Sequence, residues 1–346
     1  MFFKKTLTIP FLTTLTLTAS GASAANAPIE LVGSTTVYPY AAISADTFVE
    51  NHDFAYPEVA PVGSTEGISS FCTETGSADI ALSSRKIKAT ELATCATNGV
   101  TKIIEVKIGY DGLVFANSRD NPRFDFTPAD WFLALAAEVP SSEGLIANTA
   151  ETWQQVNTSL PDIKIRTILP APHFGTREVF DKKMMLQGCK DSGAFALMMS
   201  ANDGDAAAAS QDCLTLRTGP FVTEEQGSMH DVVPVVASSD TAIAVTSLGL
   251  FESNARDLRA SRINGVIPSN ETIANGAYPV SRPMFMYVKQ GNIGIKPGLK
   301  EYVQTVVSDE LSGPEGFLTN FGLVPDPDLA ATQQRVAQEE VMRLSN

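Results

Sequence analysis

The chain has 346 residues, 44% of them hydrophobic, and carries 39 Asp and Glu against 25 Lys and Arg, a formal net charge of −14. That length supports substantial cores in about two domains of roughly 100–200 residues each. Such acidity argues against nucleic acid or anionic lipid as a partner, yet it does not exclude a small anion, because charges more than about 8 Å from a site are largely screened at physiological salt.

The N-terminus, "MFFKKTLTIPFLTTLTLTASGASA", places Lys4 and Lys5 before a short apolar, threonine-rich run and ends on Ala22-Ser23-Ala24. This reads as a secretory signal peptide over residues 1–24, cut after Ala24. Pro10 and the threonines make it a poor membrane helix. The mature chain is therefore expected outside the cytoplasm, two charges more negative. No later stretch approaches the roughly 18 uninterrupted apolar residues of a membrane span.

From Ile29 onward, short β-branched runs alternate with helical periods. "IELVG" reads as a buried strand, "TVYPYAAISADTFVENH" as a helix, "YPEVAPVG" as a strand, "TEGISSFCTE" as a helix start, and "ADIALSS" and "KIIEVKIGYDGLVFANS" as further strands. This βαβ rhythm predicts an α/β fold with mixed, mostly parallel sheets flanked by helices. "SRDNPRFDFTPADW" looks like a junction. A second set follows, with helices in "TPADWFLALAAEV", "NTAETWQQVNTSL" and "TREVFDKKMML", a strand in "IKIRTILP", a polar connector in "DAAAASQDC", and strand and turn in "VVPVVASSDTAIAVTSLGLF". "YPVSRPMFMYVK" is one more strand, and "ATQQRVAQEEVMRL" belongs to the C-terminal helices. A chain that leaves its first lobe near Asp111 and returns near Ser281 forms two lobes joined by two crossovers, which act as a hinge. The expected lobes are 25–112 plus 281–346, and 113–280.

Cys72, Cys95, Cys189 and Cys213 lack CxxC spacing and have three histidines for company. That argues against zinc, and no other metal or cofactor is expected. Three disulfide pairings are open. The one expected joins sequence neighbours, Cys72 with Cys95 and Cys189 with Cys213, each closing a loop worth about 3 kcal/mol.

The chemistry lies in the turns. Val-Gly-Ser-Thr occurs at Val32–Thr35 and again at Val62–Thr65, each time between a strand and a helix, where ligands of parallel α/β sheets collect. Glycine permits close backbone approach, the helix start offers free N–H groups, and Ser or Thr adds a hydroxyl. Either turn alone reads as an ordinary helix cap. Two more turns add weight: Ser83-Ser84-Arg85, and Gly175-Thr176-Arg177 after His173 and Phe174. Arg85 and Arg177 supply planar forks suited to oxyanions. A hydrolase using the Gly63–Gly67 turn, with Thr65 where a nucleophile elbow has serine, is the alternative from another class; it wants a base, and only His173 lies beside a candidate turn.

The ordered motifs "GSTTVYP", "GSTEGISSFC", "ADIALSSRKIK", "ELATCATNGV", "YDGLVFANS", "GTREVF" and "YPVSRPMFMYV" resemble the phosphate-binding proteins of bacterial ABC transporters over nearly the whole mature chain. The resemblance implies a two-lobed periplasmic binding protein, type II-like, without enzymatic activity, acting as a monomer that closes over inorganic phosphate and docks to a membrane permease. It implies ligand contacts by Ser34, Thr35, Thr36 and Val37 in the first turn, Ser64 and Thr65 in the second, Ser84 and Arg85 in the third, and Gly175, Thr176 and Arg177 in the fourth. It is also consistent with the Cys72–Cys95 pairing. Two departures matter. The fourth turn has His173-Phe174 where relatives have Gly-Ser, and Ser84 stands where some relatives carry the Asp that accepts the proton of hydrogen phosphate. Glu66 is the expected substitute acceptor. Another tetrahedral oxyanion or a phosphonate is the alternative ligand.

Overall fold

The structure, a computed structural model, describes residues 27–73, 78–172 and 174–342. The segment 1–24, expected as a signal peptide, and His173 lie outside the described residues. Nine strands make the main sheet: β1 (Glu30–Gly33), β2 (Glu58–Ala60), β3 (Ile80–Ser83), β4 (Ile103–Ser118), β5 (Arg166–Pro170), β6 (Val222–Glu225), β7 (Ala242–Ser247), β8 (Leu258–Ala260) and β9 (Ser281–Lys289). Their order is β2-β1-β3-β9-β4-β7-β5-β6, with β8 also on β4. The outer strands pair in parallel, β1 with β2 and β3, and β5 with β6 and β7. The middle is antiparallel, β9 joining β3 to β4 and β4 pairing β7 and β8.

The 16-residue strand β4 links two separate cores. Its first half sends Ile104, Val106 and Ile108 into a core with Leu31, Phe48, Met286 and Tyr302. Its second half sends Leu113, Val114 and Phe115 into a core with Trp131, Phe180, Val245 and Tyr278. The chain thus folds as two lobes, and β9 returns beside β4 with Arg282 opposite Asp111 and Ser281 opposite Gly112. Pro283 is tolerated in β9 because pairing with β3 begins only at Phe285, beyond a register shift; the missing N–H breaks no bond on that side.

Several expected elements change. "DAAAASQDC" is a helix, Ala206–Cys213, not a connector: alanine is the best helix former, and Asp205 caps the helix by accepting from the amides of Ala207 and Ala208. "NTAETWQQVNTSL" is helical only over Trp153–Val156, since Asn157 leaves the helix to reach Asp130 and Pro161 follows. The helix expected in "TREVFDKKMML" is Gly175–Phe180 followed by a π-helical turn, Asp181–Leu186. The "VVPVV" run opens with a short helix, Val233–Ala237, before β7. Disulfides join Cys72 to Cys95 and Cys189 to Cys213, the pairing of sequence neighbours. Among the described residues no helix is long and apolar enough to cross a membrane.

Candidate functional site

The repeated Val-Gly-Ser-Thr is two turns built against each other. Gly33 ends β1 at φ 143°, where a side chain would be strained and its Cβ would strike the Leu82 carbonyl. The Gly63 amide donates to the Gly33 carbonyl at 2.7 Å, and the helix Ser64–Phe71 lays Gly67 directly on the Gly33 backbone. In the first turn Ser34 is buried and its Oγ accepts from the amides of Thr36 and Val37 at 3.3 and 3.4 Å. Val37 packs in the first-lobe core. Ser34 and Val37 therefore shape the turn, while Thr35 and Thr36 line the cleft.

The second and third turns also meet. Ser64 Oγ accepts from the Ser84 amide at 3.1 Å and lies 3.3 Å from Ser84 Oγ. No helix follows Ser84 directly; the next one starts at Ala89. Thr65 Oγ1 accepts from Arg85 Nη2 at 3.2 Å, so its hydroxyl is held by a guanidinium.

Arg282, which the sequence reading did not single out, is where these turns converge. The residue is 8% exposed. Nη1 donates to Ser84 Oγ at 3.1 Å, Nη2 to the Gly175 carbonyl at 2.8 Å and to Thr36 Oγ1, and Nε to Asp111 Oδ2 at 3.4 Å. Glu178 Oε2 lies 3.6 Å from Nη1. The first, third and fourth turns thus present oxygens to one fork, and Gly175 sits so close to Thr36 that an added Cβ would overlap it. Asp111 is 2% exposed; burial raises its pKa above the ordinary carboxylate value, with Arg282 opposing. Glu178 is held below its ordinary value against the opposing effect of burial, through Lys182 and Arg282.

The Arg282 bridge divides the cleft into two chambers. One, of about 410 Å³, is lined by Thr35, Thr36, Asp111, Gly175 and Thr176 together with apolar side chains. The other, of about 350 Å³, is lined by Ser64, Thr65, Ser84, Arg85 and Arg282, with Lys86, Lys182 and Lys183 nearby. All four turns reach the cleft, but no one chamber holds them together.

Three of the expected residues stand apart from this convergence or are already engaged. Arg177 is buried and lines neither chamber: Nε donates to Asp181 at 2.7 Å and Nη1 to Glu224 at 2.6 Å and to the Pro170 carbonyl. Its charge is spent on two carboxylates. Arg85 lines the second chamber, but its fork is already bidentate on Glu91, at 2.6 and 2.9 Å. Glu66 is exposed and lines neither chamber, so it is not positioned to read a ligand proton. The buried carboxylate beside the convergence is Asp111. Both overlooked residues carried a sequence signal, a charge within a largely apolar strand, which when buried demands a partner.

Comparison with known proteins agrees with this architecture. The chain is 27% identical over 318 residues to the SphX protein of Synechococcus elongatus, covering 90% of this chain and 81% of that one. It is 26% identical over 285 residues to the phosphate-binding protein PstS of Staphylococcus epidermidis, covering 80% and 74%. Among solved structures, a possible phosphate binding protein from Planctomyces limnophilus superposes with a TM-score of 0.68 at 22% identity, over 91% of this chain and 99% of that one. An ABC-type phosphate transport receptor from Vibrio cholerae gives 0.54 at 21% identity, over 82% and 95%. A model of the PBP superfamily domain matches residues 18–310, and with two cores, two linking strands and facing hydroxyl turns in place, the chain belongs to the PBP superfamily.

Proposed function

We propose that this protein captures inorganic phosphate outside the cytoplasm and delivers it to the membrane permease of an ABC importer, acting as a monomer and without catalysis. The observation that carries the reading is the convergence of Thr36, Ser84 and Gly175 on the buried Arg282 fork. The Thr36 and Ser84 hydroxyls and the guanidinium are donors of the kind a tetrahedral oxyanion uses, and the Gly175 carbonyl occupies a place on the fork that an anion oxygen would take. When the lobes part, the contact of Arg282 to the Gly175 carbonyl breaks, and an anion entering the cleft replaces it before closure. Thr35, Thr36, Ser64, Thr65, Ser84, Gly175 and Thr176 then supply hydroxyls and amides, with Arg282 as the principal cation and Arg85 at the edge. The lobes that close are 25–112 with 281–346, and 113–280, turning about β4 and β9. Relatives named for phosphate binding support phosphate as the ligand, and two disulfides suit an oxidising compartment outside the cytoplasm.

Calorimetry with phosphate, sulfate and molybdate tests the reading. Phosphate should bind at least tenfold tighter than either competitor. Phosphate binding no better than sulfate would replace it with a general oxyanion receptor, and turnover of a chromogenic ester would replace it with the hydrolase built on the Gly63–Gly67 turn.

A further inference from the structure

The larger chamber is bigger and more apolar than an inorganic anion requires. It encloses about 410 Å³, within the roughly 300–1,000 Å³ typical of small-molecule sites. Its far wall is made by Pro39, Tyr40, Met229, Val245, Leu250 and Phe321, contributed by both lobes and by the C-terminal segment. Its near wall is the cradle itself, Thr35, Thr36, Gly175 and Thr176, with Asp111 at the junction. Besides Asp111, the titratable groups facing it are His230 and the Tyr40 phenol; Tyr40 OH donates to the Phe321 carbonyl at 3.3 Å and burial keeps it protonated. Among the described lining residues no Lys or Arg faces this space, and Asp111 opposes a second anionic group there. The cations lie on the other side of the Arg282 bridge.

We infer that the cleft also accepts a monosubstituted phosphoryl group, an organophosphonate or phosphomonoester, whose small apolar or aromatic substituent occupies this chamber. The inference rests on the proposed phosphoryl role of the Arg282 cradle. Three phosphoryl oxygens face Arg282, Thr36 and the Gly175-Thr176 turn, and the fourth substituent points past Asp111 towards Tyr40 and Phe321. The apolar wall then stabilises the substituent by removing its surface from water, and the aromatic rings favour a planar group.

Titration calorimetry on the whole mature protein with inorganic phosphate, methylphosphonate, phenylphosphonate and phenyl phosphate tests this. Phenylphosphonate should bind at least tenfold tighter than methylphosphonate, and phenyl phosphate separates a tolerated ester oxygen from a requirement for carbon on phosphorus. Two variants at the partly exposed far wall leave the cradle intact. Met229→Trp, which fills the chamber, and Phe321→Ala, which removes a ring, should each weaken phenylphosphonate at least fivefold and leave inorganic phosphate within twofold. Phosphate binding without binding of any substituted ligand overturns the inference while leaving the proposed function standing. Equal weakening of all ligands in both variants also overturns it, by making the wall a general structural element. Failure of inorganic phosphate itself removes the cradle reading and the inference with it.

Discussion

Asp111 and Arg282 stand directly opposite each other on the two antiparallel strands that join the lobes, with Arg282 Nε 3.4 Å from Asp111 Oδ2. The strands that carry the chain between lobes therefore also carry the buried ion pair at the centre of the cleft. Any rotation about β4 and β9 changes what Arg282 can reach beyond Asp111. In a closed arrangement its remaining donors find Thr36 and Ser84 from one lobe and Gly175 from the other. This would couple the lobe geometry to the partner of the guanidinium, because an anion in the proposed cradle would compete with the Gly175 carbonyl for the same donors.

Arg282→Ala should weaken phosphate binding by roughly thirtyfold or more, since truncating one partner of a buried charged contact costs about 2–5 kcal/mol and about 1.4 kcal/mol is a factor of ten. Arg282→Lys keeps the charge but loses the planar fork, so affinity should recover only in part. Calorimetry measures both. A thermal melt should also fall in Arg282→Ala, because breaking a buried pair and stranding its partner costs about 3–5 kcal/mol. Unchanged phosphate affinity in a folded Arg282→Ala protein would remove the cradle.

The two arginines chosen from sequence should separate by readout. Arg177 is buried between Asp181 and Glu224, and its guanidinium is held above its ordinary pKa against the opposing effect of burial, by Glu224 first and then Asp181. Arg177→Ala should lower the melting temperature while leaving phosphate affinity within about threefold once protein is folded. Arg85 faces the second chamber with its fork on Glu91, so Arg85→Ala should weaken binding modestly, by a margin that shrinks as salt is raised, as expected for a partly exposed charge. A loss in Arg177→Ala as large as that in Arg282→Ala would restore Arg177 to the ligand set.

How far the sequence could be read follows from which signals are local. The βαβ alternation, the glycine turns and the pairing of sequence-neighbour cysteines are short-range features, and the structure contains the corresponding strands, turns and disulfides. The role of an arginine is not local. Arg177 follows a hydroxyl turn as a ligand arginine would, yet one of its two carboxylate partners, Glu224, lies 47 residues away; Arg282 lies 246 residues from Thr36. The alanine-rich Ala206–Cys213 segment was locally legible as helix, with Asp205 as its cap, and its polar flanks concealed it.

Gly175→Ala should hinder closure. A Cβ there overlaps Thr36 of the other lobe, whereas the backbone at Gly175 is ordinary helical start and tolerates alanine by itself. Small-angle scattering of wild-type protein should show compaction on adding phosphate. The variant should stay expanded at the same ligand concentration and bind phosphate at least tenfold more weakly. Identical compaction in both proteins would mean that the Thr36–Gly175 contact is not part of the closed state.

Asp111 should decide between phosphate and sulfate, the role that sequence had assigned to Glu66. Hydrogen phosphate can donate its proton to a carboxylate, whereas sulfate has none to give and is repelled by the same charge. Asp111→Asn should therefore narrow the phosphate-to-sulfate affinity ratio at least fivefold, and Glu66→Gln should leave it unchanged. The pH dependence has a defined sign. Burial raises the Asp111 pKa above the ordinary value of 3.8, with Arg282 opposing, so the folded protein takes up this proton at a higher pH than the unfolded chain. Between the two values acidification favours the folded state, and that contribution is lost as pH rises through the folded pKa. Once protonated, Asp111 donates rather than accepts, so sulfate should gain on phosphate as pH falls through the same range in wild type and not in Asp111→Asn. Competition titrations from neutral pH into the acid range measure this; a ratio that changes equally in both proteins would assign it to the protonation of phosphate alone.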